Sequence, residues 1–231
     1  APNGATDVIV AHSGEDVVSV SRIAPDGTVS PAHLIGLPDG AAARDVVSAD
    51  FNGDGFGDIA TANESLNNVS VLLAATDSVF ALPVEYLTGA APRSLVAVDV
   101  DDDDDIDLVS ANRNSDSLTV LLNDGAGVFS MSHDVATGSA PRTVIATDVD
   151  GDGDPDLLVS SPVTSSIALH RGDGNGGFSA VTFLTLDANP TRMTLGDYTG
   201  DGNPDLLAVL FATEADTVSS GKILCLAGDG R

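Results

Sequence analysis

The feature that most restricts this chain is a repeat with no slack in its spacing. The stretch Asp148-Val149-Asp150-Gly151-Asp152-Gly153-Asp154-Pro155-Asp156 alternates carboxylates with spacers and turns at glycines. It closes on an Asp that begins the apolar run Leu157-Leu158-Val159. The same nine-residue frame occurs at 50–58, 99–107 and 197–205, so its first Asp falls at 50, 99, 148 and 197, always 49 residues apart. A fixed period in this range restricts the fold to a solenoid, a propeller or an array of like units. It overrides the one or two domains that 231 residues alone would suggest.

Between the loops the repeat keeps one order. A short apolar run follows each loop, at 59–62, 108–111, 157–160 and 206–209, and residues 8–11 repeat it behind Asp7. A polar turn and a second run come next, at 17–20, 69–73, 118–122, 167–170 and 223–226. Gly/Asp turns such as Asn123-Asp124-Gly125 then close a hairpin, because these residues tolerate a positive φ. A third strand is expected from near Phe80, Phe129 and Phe178. Gly/Pro turns end it, and a fourth, such as 94–98 or 143–147, runs into the next acidic loop. Runs this short, rich in Val, Ile, Leu and Thr and bounded by turn residues, are strands rather than helices. Four antiparallel strands per unit of about 50 residues describe a β-propeller blade. The prediction is an all-β propeller of about five blades, divided at 1–43, 44–92, 93–141, 142–191 and 192–231, with both end blades incomplete. Five closed blades and a piece of a larger propeller remain alternatives.

The charge is concentrated in the frames. The net charge is −26, and 18 of the 35 acidic residues lie in the four nine-residue loops. Such density is self-repelling unless a cation sits within it and becomes the largest local charge. The frame D-x-[D/N/T]-x-D-x-x-x-D places ligands at odd positions of a curling loop. In the first loop these are Asp50, Asn52, Asp54 and Asp58 by side chain and Phe56 by its carbonyl. In the second they are Asp99, Asp101, Asp103 and Asp107 with the Asp105 carbonyl; in the third, Asp148, Asp150, Asp152 and Asp156 with the Asp154 carbonyl. In the fourth they are Asp197, Thr199, Asp201 and Asp205 with the Asn203 carbonyl. An all-oxygen set without His or Cys excludes zinc and copper chemistry and suits Ca2+ better than Mg2+, about four ions per chain. An EF-hand is excluded, since position twelve holds Thr61, Ser110, Val159 or Ala208 instead of Glu. The second loop carries Asp104 where the others have glycine, and Asp accepts a left-handed backbone better than most residues. The first and fourth loops, with three ligand carboxylates each, are expected to bind more weakly than the second and third.

The repeats resemble the FG-GAP family of integrin α-subunit propellers and bacterial secreted proteins. The resemblance rests on Gly127-Val128-Phe129 with Gly138-Ser139-Ala140-Pro141, and on Gly176-Gly177-Phe178 with Asn189-Pro190, each beside its acidic loop. It implies calcium between the first two strands of a blade, an extracellular setting, and a protein or glycan ligand on the face opposite the calcium loops. On that face the turn at 211–221 is seven residues longer than its counterparts and is the candidate for a specialised contact.

The function expected from these features is a calcium-binding recognition, adhesion or structural module without catalytic activity. A lectin-like propeller and a non-catalytic part of a polysaccharide-degrading enzyme are the alternatives. The chain has no Trp and only Tyr86 and Tyr198 for stacking on sugars. An acidic surface with Lys222 as its only lysine argues against nucleic acid and anionic membranes. No apolar run of about 18 residues is present, which argues against membrane insertion. Arg44, Arg93 and Arg142 lie 49 residues apart, with Arg192 one residue late. Such a ring could grip an acidic ligand; pairing of each with an Asp or carbonyl of its own blade is the stronger expectation. Cys225, the only cysteine, is expected to be a small buried hydrophobe.

Overall fold

The computed structural model describes residues 5–76, 79–211 and 221–228. The long turn singled out above lies almost wholly outside them. Five antiparallel sheets follow one another along the chain. The first holds β1 (Thr6–His12), β2 (Val17–Ile23) and β3 (His33–Gly36). The second holds β4 (Ala43–Ala49), β5 (Asp58–Asn63), β6 (Asn68–Leu72) and β9 (Val84–Leu87), with a two-stranded ribbon, β7 (Ala74–Thr76) and β8 (Val79–Phe80), at its side. The third holds β10 (Pro92–Val98), β11 (Asp107–Asn112), β12 (Ser117–Asn123) and β13 (Phe129–Ala136). The fourth holds β14 (Thr143–Thr147), β15 (Asp156–Ser161), β16 (Ser166–His170) and β17 (Thr182–Thr185). The fifth holds β18 (Asn189–Gly196), β19 (Asp205–Phe211) and β20 (Gly221–Leu226). Each sheet is a meander in chain order. One 3₁₀ turn at Pro162–Thr164 is the only helical element among the described residues. This is the propeller-like all-β arrangement that the period predicts.

Each pair of consecutive sheets encloses its own apolar layer. Val18, Ile59 and Leu72 lie between the first two, and Phe51, Val71, Leu108 and Phe129 between the second and third. Val100, Val109, Leu157 and Val159 fill the next layer, and Ile167, Met193 and Leu210 the last. Middle strands are therefore covered on both faces. All six residues of β5 and all six of β11 are buried, which explains why these strands read as continuous small apolar runs without period-2 alternation. In the outer strand β17 every residue is exposed.

The first strands of successive blades line up along the inside. Asp45 Oδ2 on β4 accepts the Leu95 N–H of β10 at 3.0 Å, and Ser94 Oγ on β10 accepts the Val144 N–H of β14 at 3.2 Å. Thr143 Oγ1 on β14 donates to the Thr191 carbonyl of β18 at 3.5 Å. One polar position thus stitches the second, third and fourth blades each to the next.

Two expectations change. Phe80 and Phe178 do not open outer strands. Phe80 closes the β7–β8 ribbon and Phe178 forms an isolated bridge with Gly172, so these strands begin at Val84 and Thr182. Both rings turn inward against neighbouring apolar layers before the strand proper starts. Cys225 is exposed. It sits on β20, where Leu224 and Leu226 pack against the apolar layer and Cys225 alternates away from it.

Candidate metal centres

The four acidic loops share one backbone. Positions four and six have positive φ in each: Gly53 and Gly55, Asp102 and Asp104, Gly151 and Gly153, Gly200 and Gly202. The expectation for Asp104 holds, at φ 69°, and Asp102 is left-handed as well, at φ 61°. The first Asp of the frame forces this curl by accepting amide protons from its own loop. Asp50 takes those of Asp54 and Gly55 at 3.1 and 2.7 Å. Asp148 takes those of Gly151 and Gly153 at 2.7 and 3.0 Å, and Asp99 and Asp197 do the same for their loops. The fifth position adds an Asx turn, with Asp54, Asp103, Asp152 and Asp201 each accepting the N–H of position seven.

The last Asp of each frame does something the spacing alone did not reveal. Asp58, Asp107, Asp156 and Asp205 are buried to 1% exposure or less. Each splits its carboxylate between two strands. One oxygen accepts the N–H of position two, from Phe51, Val100, Val149 or Tyr198, at 2.7–2.9 Å. The other accepts an N–H at the end of the third strand, from Ala74, Asn123, Gly172 or Gly228, at 2.7–3.0 Å. The signal was present as a fixed offset: three of these partners lie 16 residues beyond their Asp.

The loops are also braced from the next blade. Asn123 Nδ2 donates to the Phe51 carbonyl at 2.8 Å, and Gly176 N–H donates to the Val100 carbonyl at 2.8 Å. Phe51 itself meets the Phe129 ring edge-on, with centroids 5.4 Å apart. The side chains of Asp105 and Asp154, at position seven, lean away over the hairpin glycines. A Cβ on Gly125 or Gly174 would fall 2.4 or 2.6 Å from their carboxylate oxygens.

The predicted ligands converge in two loops. In the second, oxygens of Asp99, Asp101 and Asp103 lie within 4.8 Å of one another; in the third, those of Asp148, Asp150 and Asp156 do. No other group of three carboxylates is this close among the described residues. Position three is the difference. Asp101 Oδ1 and Asp150 Oδ1 are buried acceptors without a hydrogen-bond partner. In the first loop Asn52 is engaged instead, its Oδ1 accepting the Asp54 N–H and its Nδ2 donating to Asp54 Oδ2, both at 3.1 Å. In the fourth, Thr199 donates its N–H to Asp205 at 2.8 Å. The orphaned acceptors fit a hard cation, which would supply the missing partner.

The electrostatics divide differently: the closing Asp is shifted upward in the first three loops and downward only in the fourth. Burial, reinforced by Asp101 and Asp103, pushes Asp107 up to about 6 against two backbone N–H bonds. Burial together with nearby carboxylates also raises Asp58, Asp101 and Asp156. At Asp205 burial is outweighed by the N–H groups of Gly228, Thr199 and Tyr198, and its pKa is lowered. Arg171 supplies one local counter-charge, donating from Nη1 to Asp150 Oδ2.

The FG-GAP-like repeat profile matches residues 3–61, 99–159 and 148–208. The chain belongs to the FG-GAP-like repeat family. Comparison with curated proteins returns no match. Among solved structures, a protein of unknown function from Desulfotomaculum acetoxidans is similar over 96% of this chain and 75% of its own, at 14% identity and a TM-score of 0.63. A lectin from Agrocybe aegerita that recognises non-reducing terminal N-acetylglucosamine matches 99% of this chain and 67% of its own, at 17% identity and a TM-score of 0.57. A chain of the Photorhabdus luminescens Tc holotoxin pore matches 96% of this FG-GAP-like chain at 19% identity and a TM-score of 0.51, and only 11% of the toxin chain is covered. At these identities the likeness concerns the fold alone.

Proposed function

We propose that this FG-GAP-like chain is a calcium-stabilised recognition or structural module that works outside the cell. The observation that carries the reading is the pair of carboxylate triads in the second and third loops, each with a buried, unpartnered oxygen. Calcium at these sites would cancel carboxylate repulsion and lock the turn that joins the first two strands of a blade. Metal-binding energy then becomes folding energy. The first and fourth loops complete a set of four sites, with the weaker binding that their fewer carboxylates give. Millimolar extracellular calcium would fill sites of modest affinity, which is why the module is placed in that setting.

The reading is of a binding module and not an enzyme. A sugar ligand is disfavoured by the aromatic side chains. Tyr86 is packed against Phe129 at a centroid distance of 5.5 Å, and Tyr198 lies within an acidic loop.

The deciding experiment is thermal unfolding in calcium and in excess chelator, with the metal content of the purified protein measured beside it. A ligand at 100 times its Kd adds about 2.7 kcal/mol per site. Two such sites shift Tm by roughly 10–20 °C in a chain of this size. An equal Tm in both buffers, with no bound metal, would overturn the reading.

A further inference from the structure

The opposite end of the inner strands carries the reverse charge. Eight arginines and one lysine are all the cations this chain of net charge −26 possesses. Four of them, Arg44, Arg93, Arg142 and Arg192, line one cavity of about 180 Å³ together with Ser13 and small side chains of the first two blades. Residues of four sheets contribute to that lining, and Arg142 joins them from the turn just ahead of β14 in the fourth. The cavity lies where the inner strands begin, whereas the acidic loops lie where they end, so a strand of about 20 Å separates the two.

The arginines are held there by the fold. Ala42, Ala91 and Ala140 adopt φ of 48°, 56° and 50° just ahead of them. That conformation is fixed from the preceding blade, where Asp16, Asn67 and Asp116 accept the N–H groups of Ala42, Ala91 and Ala140 at 3.3, 2.8 and 2.7 Å. Arg44 and Arg93 then occupy bulges at the start of β4 and β10, and a bulge re-aims a side chain.

The charges are not balanced. The expectation that each arginine pairs within its own blade holds for Arg44 and not for Arg93, Arg142 or Arg192. Glu64 bridges Arg44 of its own blade and Arg93 of the next, the latter at 3.0 Å. Arg142 and Arg192 have no carboxylate partner among the described residues and are exposed. Burial and the nearby Arg113, Arg44 and Arg142 lower the Arg93 pKa, with Glu64 opposing them. Among the described residues Glu64 is thus the one carboxylate ion-paired to these four guanidinium groups, while Asp16 and Asp116 at the same end are engaged by the backbone N–H groups of Ala42 and Ala140. Screening over about 8–10 Å shields the mouth from the distant acidic loops.

We propose that this arginine-lined mouth binds a small multivalent oxyanion, a dicarboxylate or a sulfate group, through Arg142 and Arg192, with Arg44 and Arg93 completing the cage. Guanidinium forks match the paired oxygens of such anions, and charge-assisted bonds of this type are the strong ones. The cavity volume limits the ligand to a small ion or the terminal group of a larger one. The site is independent of calcium.

The test uses the full chain in saturating calcium. Sodium sulfate and disodium succinate are titrated against sodium chloride at matched ionic strength. The readout is the set of arginine Nε–Hε signals in nitrogen-15 NMR. Saturable shifts with sulfate or succinate, absent with chloride, are expected at Arg142 and Arg192. The double variant R142Q/R192Q should bind at least about tenfold more weakly while melting in chloride as the parent does, since neither side chain makes an ion pair. Glu64→Gln, which removes the competing carboxylate, should bind severalfold more tightly. No saturable shift with either anion, or undiminished affinity in the double variant, would overturn the proposal.

Discussion

The second and fourth acidic loops occupy the same place in two blades and follow the same frame, yet their electrostatics are opposed. In the second, seven of nine residues are Asp, three carboxylates converge, and the buried Asp107 is held near pKa 6. In the fourth, three of nine are Asp, no triad forms, and the equivalent Asp205 has its pKa lowered. The backbone is nearly unchanged between them, with left-handed residues at positions four and six and a buried Asp clamping two strands. The loop conformation is therefore set by amide-to-carboxylate bonds from the first, fifth and last Asp. The side chain at position three decides how much the loop needs a cation. Asp101 leaves an oxygen unpaired; Thr199 brings no charge at all.

The largest effect should come from removing that charge. With calcium, Asp101→Asn loses a strong site, worth about 2.7 kcal/mol at 100-fold saturation, and Tm should fall by roughly 5–10 °C. In chelator the same change relieves repulsion among Asp99, Asp101 and Asp103, and Tm should rise by a few degrees, the usual scale for about 1 kcal/mol. Asp201→Asn in the fourth loop should lower Tm in both buffers, because no triad exists there to be relieved. If Asp101→Asn lowers Tm equally with and without calcium, the two loops are not different in kind.

Much of this was legible in the sequence and some was not. The 49-residue period, the strand order within a blade and the odd-numbered acidic positions are local patterns, and local patterns survive folding. The clamp by Asp58 and its counterparts joins residues 16 apart across a hairpin, so it could be read only once the hairpin was drawn. The Glu64 bridge joins Arg44 and Arg93 across two blades, and a repeat compared only with itself cannot show a contact between copies. Cys225 is exposed where its residue type favours burial, because residue type gives a preference and not which face of β20 the side chain occupies. Asp102 departs from Gly53, Gly151 and Gly200 just as Asp104 departs from its counterparts, so its left-handed backbone was legible in the same frame.

The pH dependence sharpens the comparison further. Asp107 has its folded pKa raised from 3.8 to about 6. Ionising it therefore costs the metal-free fold stability, which is fully present below pH 3.8 and lost as pH rises to about 6. Calcium needs the ionised form, so its affinity at the second loop should fall as pH drops through 6, by about tenfold per unit where a single proton competes. Asp205, with its lowered pKa, should keep the fourth loop insensitive over the same range. Calorimetry of calcium binding at pH 7 and pH 5, in buffers of different ionisation heat, counts the protons released. Equal release by the parent and by a variant lacking the second-loop site would break the contrast.

The smallest effect concerns the backbone. Asp102 and Asp104 hold φ of 61° and 69°, where every other loop has glycine. A non-glycine residue in this region costs roughly 1 kcal/mol, less for Asp than for most. Replacing either with glycine should stabilise the chain, but it also deletes a charge from a crowded loop, and the two causes must be separated. Asn removes the charge and keeps the left-handed tolerance of Asp. The difference between Asp102→Gly and Asp102→Asn in chelator therefore isolates strain, and the difference between Asp102→Asn and the parent isolates repulsion. We expect the second difference to be the larger, since six other Asp residues share the loop, and to shrink in high salt, whereas the strain difference should not. If the Gly-minus-Asn difference dominates and ignores salt, the second loop is limited by its backbone. Its distinction from the fourth would then rest on conformation and not on charge.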